Sequence, residues 1–111
     1  MQVQALLKKL AGLSISVICP LHGPVLTENL GFYMDKYNVW SSYEPEEAGV
    51  LIAYASIYGH TKEAAIKLQE ILKNKGEKNV ITTDLCRDDM HEAVKDAFCY
   101  DRLVLAAASY D

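Results

Sequence analysis

Between residues 50 and 108 the chain alternates continuous apolar runs with stretches of helical periodicity, and only a narrow set of folds accepts that alternation. The runs are 50–55, 79–85 ("NVITTDL") and 102–108 ("RLVLAAA"), and the helical stretches are 61–75 and 89–98. Strands separated by helices of this length are βαβ units, whose crossovers are right-handed and whose strands are parallel. Three such strands take the spatial order 2-1-3 in an α/β sandwich. Apolar character is unbroken from Val50 to Ala55 and from Leu103 to Ala108, which predicts that both strands are buried on both faces. In the first helical stretch Ala64, Ala65, Leu68, Ile71 and Leu72 form one stripe. Lys73 and Lys75 suit the negative end of its dipole, and Gly76 is placed to end it. A unit of about 60 residues buries only about 60% of its extended surface, and the third strand presents an open apolar edge. That edge needs a partner.

The first 48 residues follow another pattern. Leu6, Leu7 and Leu10 make a short helical face that Gly12 is placed to terminate, and "LSISVIC" at 13–19 alternates as a half-buried strand does, stopping at Pro20. From Asn29 to Ser41, Leu30, Tyr33, Met34, Tyr37 and Trp40 recur at three and four residues, which predicts a second helix with Tyr33, Tyr37 and Trp40 in its core. "SSYEPEEAG" then loses the periodicity and gathers Glu44, Pro45, Glu46 and Glu47, so it reads as a solvated linker. The expected division is 1–48, a strand and helix appendage with its linker, and 49–111, the α/β unit.

Charge and cysteine usage exclude several functions. The net charge is -4, with 11 basic residues scattered among 15 acidic ones, and no patch is dense enough to neutralise nucleic acid phosphates. Cys19, Cys86 and Cys99 are odd in number and widely spaced, which fits small buried hydrophobes in a reducing compartment, not a disulfide framework or a metal knuckle. Lys8 and Lys9 before "LAGLSISVIC" imitate a signal peptide, but Ile18 before Cys19 suits neither kind of cleavage site, so a folded, cytoplasmic chain is expected. No run approaches the roughly 18 apolar residues of a membrane span. No nucleophile is paired with a base: Cys19 near His22 has no third group to orient it, and no catalytic residue is assigned.

The chemistry concentrates in "YASIYGHTKEAA", Tyr54 to Ala65, at the joint of the first strand and its helix. Ligands of open α/β sheets bind beyond the carboxyl ends of the strands where chain order reverses, here between the first and third strands. A helix amino terminus there holds a phosphate with unpaired N–H groups alone. Gly59 admits close backbone approach, and Ser56 and Thr61 add hydroxyls. The same residues also suit an ordinary strand-to-helix turn with a good side-chain cap. Spacing excludes a dinucleotide GxGxxG loop and a nucleoside triphosphate GxxxxGK[ST] loop. A receiver domain wants an acidic residue at the end of its third strand, for which Asp111 is a remote candidate.

"SIYGHTKEAA" resembles the first flavin mononucleotide (FMN) loop of flavodoxins, [ST]-x-[TY]-G-x-T, and "AAASYD" at 106–111 resembles the second, often "GSPTYN". "CPLHGPV", "YMDKYNVWS" and "LIAYASIYGHT", in that order, are similar to the junction in flavodiiron proteins where a metallo-β-lactamase-like domain gives way to flavodoxin. The resemblance covers residues 13–111. It implies an incomplete flavodoxin-like fold at 49–111 preceded by a remnant of a metallo-β-lactamase-like domain at 1–48. It further implies FMN as cofactor and electron transfer in an oxygen or nitric oxide reductase. Its implied partners are further copies of the chain and an electron-donor protein such as rubredoxin or a reductase.

By the same resemblance Ser56, Ile57, Tyr58, Gly59, His60 and Thr61 face the phosphate, and Ala107, Ala108, Ser109 and Tyr110 face the ribityl chain and ring. Tyr58 and Tyr110 either lie against the flavin or fill space left by absent strands. His60 stands where relatives often have Asn, and Asp111 replaces another Asn. His22 matches the last ligand of the di-iron site, but the upstream HxExDH-type motif is absent and only His60 and His91 remain, so no metal ligand is assigned. The last two strands of a flavodoxin sheet and its third loop are also absent, which predicts a fragment of a larger protein. The alternative is a non-catalytic remnant that self-associates and binds no flavin.

Overall fold

The computed structural model describes residues 2–109. The chain divides into two compact units, with the division between Glu44 and Pro45. In the first unit, α1 (Gln2–Leu10) and α2 (Leu30–Ser42) are joined by the side chain of Gln4, whose Nε2 donates to Ser41 Oγ at 2.8 Å and Asn38 Oδ1 at 3.0 Å. The expected strand at 13–19 does not form. Only an antiparallel bridge between Ile18 and Leu26 is present, because a strand needs a ladder partner and the described residues supply none beyond Leu26. Leu13 and Val17, the intended inner face of that strand, are exposed.

The aromatic core expected in α2 is also corrected. Tyr33 is half-buried, whereas Tyr37 and Trp40 are exposed and pack edge-on against each other with ring centroids 5.7 Å apart. An apolar cavity of about 510 Å³ opens among Leu6, Leu7, Leu10, Ile15, Ile18 and Met34, and among residues 2–44 no described residue is buried. Helical periodicity thus formed the helices without filling a core around them.

The second unit contains β1 (Glu47–Ala55), α3 (His60–Asn74), β2 (Val80–Asp84), α4 (Met90–Cys99) and β3 (Tyr100–Ala107). Its sheet is parallel throughout, in the order β2-β1-β3, so the α/β flavodoxin-like arrangement is present. The linker contracts to residues 43–46, since α2 runs through Ser42 and β1 begins at Glu47. Gly49 to Tyr54 are buried in succession because β1 is central and helices lie over both faces. Ala65, Leu68 and Leu72 of α3 pack against Val50, Ile52, Tyr54, Val104 and Ala106. The two crossovers run in opposite directions with the same hand, which puts α4 over the other face, where Leu51 and Ala53 point. In α3 the buried stripe is narrower than expected: Ile71 and Ala64 are exposed. Gly76 ends the helix region at φ 98°, a left-handed conformation open to glycine.

β3 departs from the expected burial on both faces. Val104 and Ala106 are half-buried on the α3 side, while Leu103 and Leu105 are 50% and 71% exposed. The register pairs Leu103 with Leu51 and Leu105 with Ala53, so these leucines lie on the α4 side of the sheet, where α4 contacts both β1 and β3 and still leaves them at least half exposed. The cysteine expectation is corrected as well: Cys19 and Cys86 are exposed and Cys99 is half-buried, with no disulfide. Cys86 is drawn to the surface because its backbone N–H is held by Asp84 Oδ1 in the turn after β2. No helix among the described residues is long and apolar enough to cross a membrane.

Candidate functional site

The carboxyl end of the sheet is built by what leaves its strands. Beyond Ala55 the chain sinks at Ser56, surfaces at Ile57 and Tyr58, and turns into α3 through Gly59 at φ 95°. A β-carbon on Gly59 would meet no atom within 4 Å, so the ground in front of the turn is open. The first intrahelical bond runs from Glu63 N–H to the Gly59 carbonyl at 2.9 Å. The amides of His60, Thr61 and Lys62 therefore precede any intrahelical acceptor. The N-cap residue, Gly59, brings no capping side chain, and its own N–H is accepted by the Ser56 hydroxyl at 3.1 Å. At α4, by contrast, the Asp89 carboxylate accepts from His91 N–H at 2.8 Å. The Ser56–Gly59 bond belongs equally to the ordinary strand-to-helix turn weighed from the sequence, without the N-cap carboxylate that α4 has.

Ala55 is paired with Ala107 across β1 and β3, so the residues after each leave the sheet side by side. Ala107, Ala108 and Ser109 are exposed there, and Tyr110 and Asp111 lie outside the described residues. The fold brings Ser56–Thr61 and Ala107–Ser109 to one end of the sheet. Ile57 and Tyr58 are 66% and 78% exposed, His60 is exposed and Thr61 half-buried. Ser56, at 4% exposure, lies beneath the turn.

Next to this loop is a polar group that the sequence reading did not single out. Asp84, buried at the end of β2, accepts from Cys86 N–H at 3.0 Å and from Arg87 Nη1 at 2.8 Å, while Asp88 Oδ2 accepts the Asp84 N–H at 2.7 Å. Burial pushes its carboxyl up, but the hydrogen bonds from Arg87 and Cys86 and the charges of Arg87 and Lys62 outweigh that, so it lies below its ordinary value. Burial, then the charges of Asp84 and Asp88, push the Tyr54 phenol up. The signal was an Asp closing a β-rich run with a second Asp four residues later in "TTDLCRDD".

His22 is exposed in the bend at 21–23. Among the described residues no three His, Cys, Asp or Glu side chains converge, so the residues described do not fit a di-iron centre.

No family model matches the sequence. It is 33% identical over 70 residues to an uncharacterized protein of Methanocaldococcus jannaschii, a stretch that is 63% of this chain and 18% of the relative. A flavo di-iron protein mutant from Thermotoga maritima superposes with a TM-score of 0.81 at 23% identity, over 98% of this chain. A flavoprotein crystal structure from the same organism gives 0.75 at 24% identity, over 93% of it. The chain shares their fold. It spans 28% and 26% of their respective lengths.

Proposed function

We propose that the second unit binds FMN and serves electron transfer within a flavodiiron-type oxygen or nitric oxide reductase. The observation that carries this is the uncapped first turn of α3, set at the carboxyl end of the central strand beside the exposed end of β3. Three amides without intrahelical acceptors, a glycine turn with open space before it and the half-buried Thr61 hydroxyl are a donor set that fits a phosphate ester. Ala107, Ala108 and Ser109 supply a second wall without bulk, and the exposed Tyr58 ring is an apolar surface for a flat conjugated system. When bound, FMN itself supplies the one- and two-electron chemistry, and the chain's part is to hold and shield it. The likeness in fold to a flavo di-iron protein from Thermotoga maritima supports the wider assignment. An electron-donor protein such as rubredoxin or a reductase is the partner proposed with it. Titration with FMN tests it: quenching of flavin fluorescence on addition of protein, weaker with riboflavin, is the expected result. Unchanged fluorescence at high protein concentration overturns it.

A second reading, a self-associating remnant that binds no flavin, is favoured by one observation. Leu103 and Leu105 on β3, and Met90, Val94 and Phe98 at four-residue spacing on α4, are all at least half exposed. Size-exclusion chromatography with light scattering separates the two: a flavin-free dimer supports the remnant, and a monomer that takes up FMN removes it.

A further inference from the structure

β3 is an edge of the sheet, and nothing in it guards that edge. β1 pairs with one side of it, and among the described residues no strand takes the N–H and C=O groups that point the other way. From Leu103 to Ala107 it has no charged side chain, no proline and no bulge, the devices that keep exposed edges from pairing. The two charges before that run are turned back into the unit: Asp101 Oδ1 accepts the Gly49 N–H at 2.7 Å, and Arg102 donates to both Glu77 carboxylate oxygens at 2.7 and 2.8 Å. We propose that β3 pairs antiparallel with β3 of a second copy, joining two sheets into one of six strands about a twofold axis. The proposal rests on the self-association reading and names its surface.

Three features select a second copy as the occupant. The first is register. Paired residues must share a face of the sheet, and a twofold axis at Val104 sets Leu103 opposite the partner's Leu105 and Leu105 opposite the partner's Leu103. Arg102 then meets the partner's Ala106 and Asp101 the partner's Ala107, so no like charges face each other. The second is the fit of the helices. α4 contacts both β1 and β3, and with strands about 4.8 Å apart the two α4 helices come to lie about 10 Å from each other, the spacing of packed helices. The exposed stripe of Met90, Val94 and Phe98 then has a helix to pack on. The third is area. Those three side chains with Leu103 and Leu105, all at least half exposed, present about 500 Å² of apolar surface per copy, the size of patch that marks an interface. The paired backbones add to it, toward the roughly 800 Å² per partner of a stable dimer.

The test uses the full chain, without flavin and then with FMN, as wild type and as the Leu103→Lys/Leu105→Lys double variant. Light scattering gives the mass across a range of concentrations, and hydrogen exchange by NMR follows the amides of Leu103 to Ala106. Expected for wild type are a mass of two chains and, for those amides that point away from β1, exchange about tenfold slower at high concentration than at low. The double variant is expected to associate about a hundredfold more weakly, because its ammonium groups face the partner's, while its far-UV circular dichroism stays that of wild type. A wild type that stays monomeric, a dimer whose β3 exchange does not change with concentration, or a double variant that associates as wild type does would each overturn the proposal. A dimer that shows the β3 protection and also takes up FMN upholds the interface and removes the flavin-free reading. A flavin-free dimer joined elsewhere keeps that reading and removes the interface.

Discussion

At Gly49 the sheet has no room for a side chain. The β1–β3 register shifts between Glu47 and Val50, and in that bulge the Gly49 N–H is accepted by Asp101 Oδ1 at 2.7 Å. A β-carbon there would stand 2.5 Å from Tyr100 Cδ1 and 3.0 Å from the Asn79 carbonyl oxygen, which is backbone and cannot swing away. Gly49→Ala is expected to cost about 2 kcal/mol in urea denaturation, the scale of overpacking. Asp84 governs a second residue-scale effect. Its folded-state carboxyl lies below the ordinary 3.8, so its contribution to stability is present above that value and is lost as pH falls through the depressed one. Unfolding curves taken from about pH 5 downward are expected to show stability falling below about pH 4, and Asp84→Asn to flatten that part of the slope. The glycine was visible in the sequence only as the end of a linker. Asp84 was visible as one acid among many, since burial of a carboxylate depends on which neighbours the fold provides.

Among the elements, α3 was legible because a 3.6-residue apolar period, a C-terminal lysine and Gly76 all agree. The segment at 13–19 shows the same kind of local pattern and forms no strand, because alternation states which side chains seek cover, not whether another strand is there to pair. β3 shows the limit from the other side. A run such as "LVLAAA" reads the same whether both faces are covered or one, and here the α4 side of β3 is left partly open, with Leu103 and Leu105 at least half exposed. Since these leucines bury little in one copy, Leu103→Lys and Leu105→Lys are each expected to change thermal stability by within about 0.5 kcal/mol. In the same variants, light scattering reports whether that face joins copies: a fall in mass relative to wild type is the expected result if it does.

For the whole molecule, burial is confined to the second unit. The residues below 9% exposure run from Gly49 to Ala93, and residues 2–44 contribute none. Residues 45–111 produced alone are therefore expected to keep the three-stranded sheet and to unfold cooperatively by circular dichroism, whereas 1–44 alone, at a length where chains usually need a disulfide, metal or partner, are expected to give no cooperative transition. The likeness to the Thermotoga maritima structures spans 98% and 93% of the chain, and the order β2-β1-β3 was already implied by alternating strands, helices and right-handed crossovers. The sequence by itself determined which segments are strand and helix in the second unit, how the strands are ordered, and that a glycine turn opens a helix at the carboxyl end of the central strand. Those are consequences of local periodicity and chain chirality. Only the tertiary structure decided that Ser56 is buried with its hydroxyl on the Gly59 N–H, that Asp84 is buried at the end of β2, and that one face of β3 is partly open. The burial of Asp84 and the open face of β3 depend on residues far apart in the chain, and the Ser56–Gly59 bond, between residues three apart, depends on the conformation the turn takes between strand and helix.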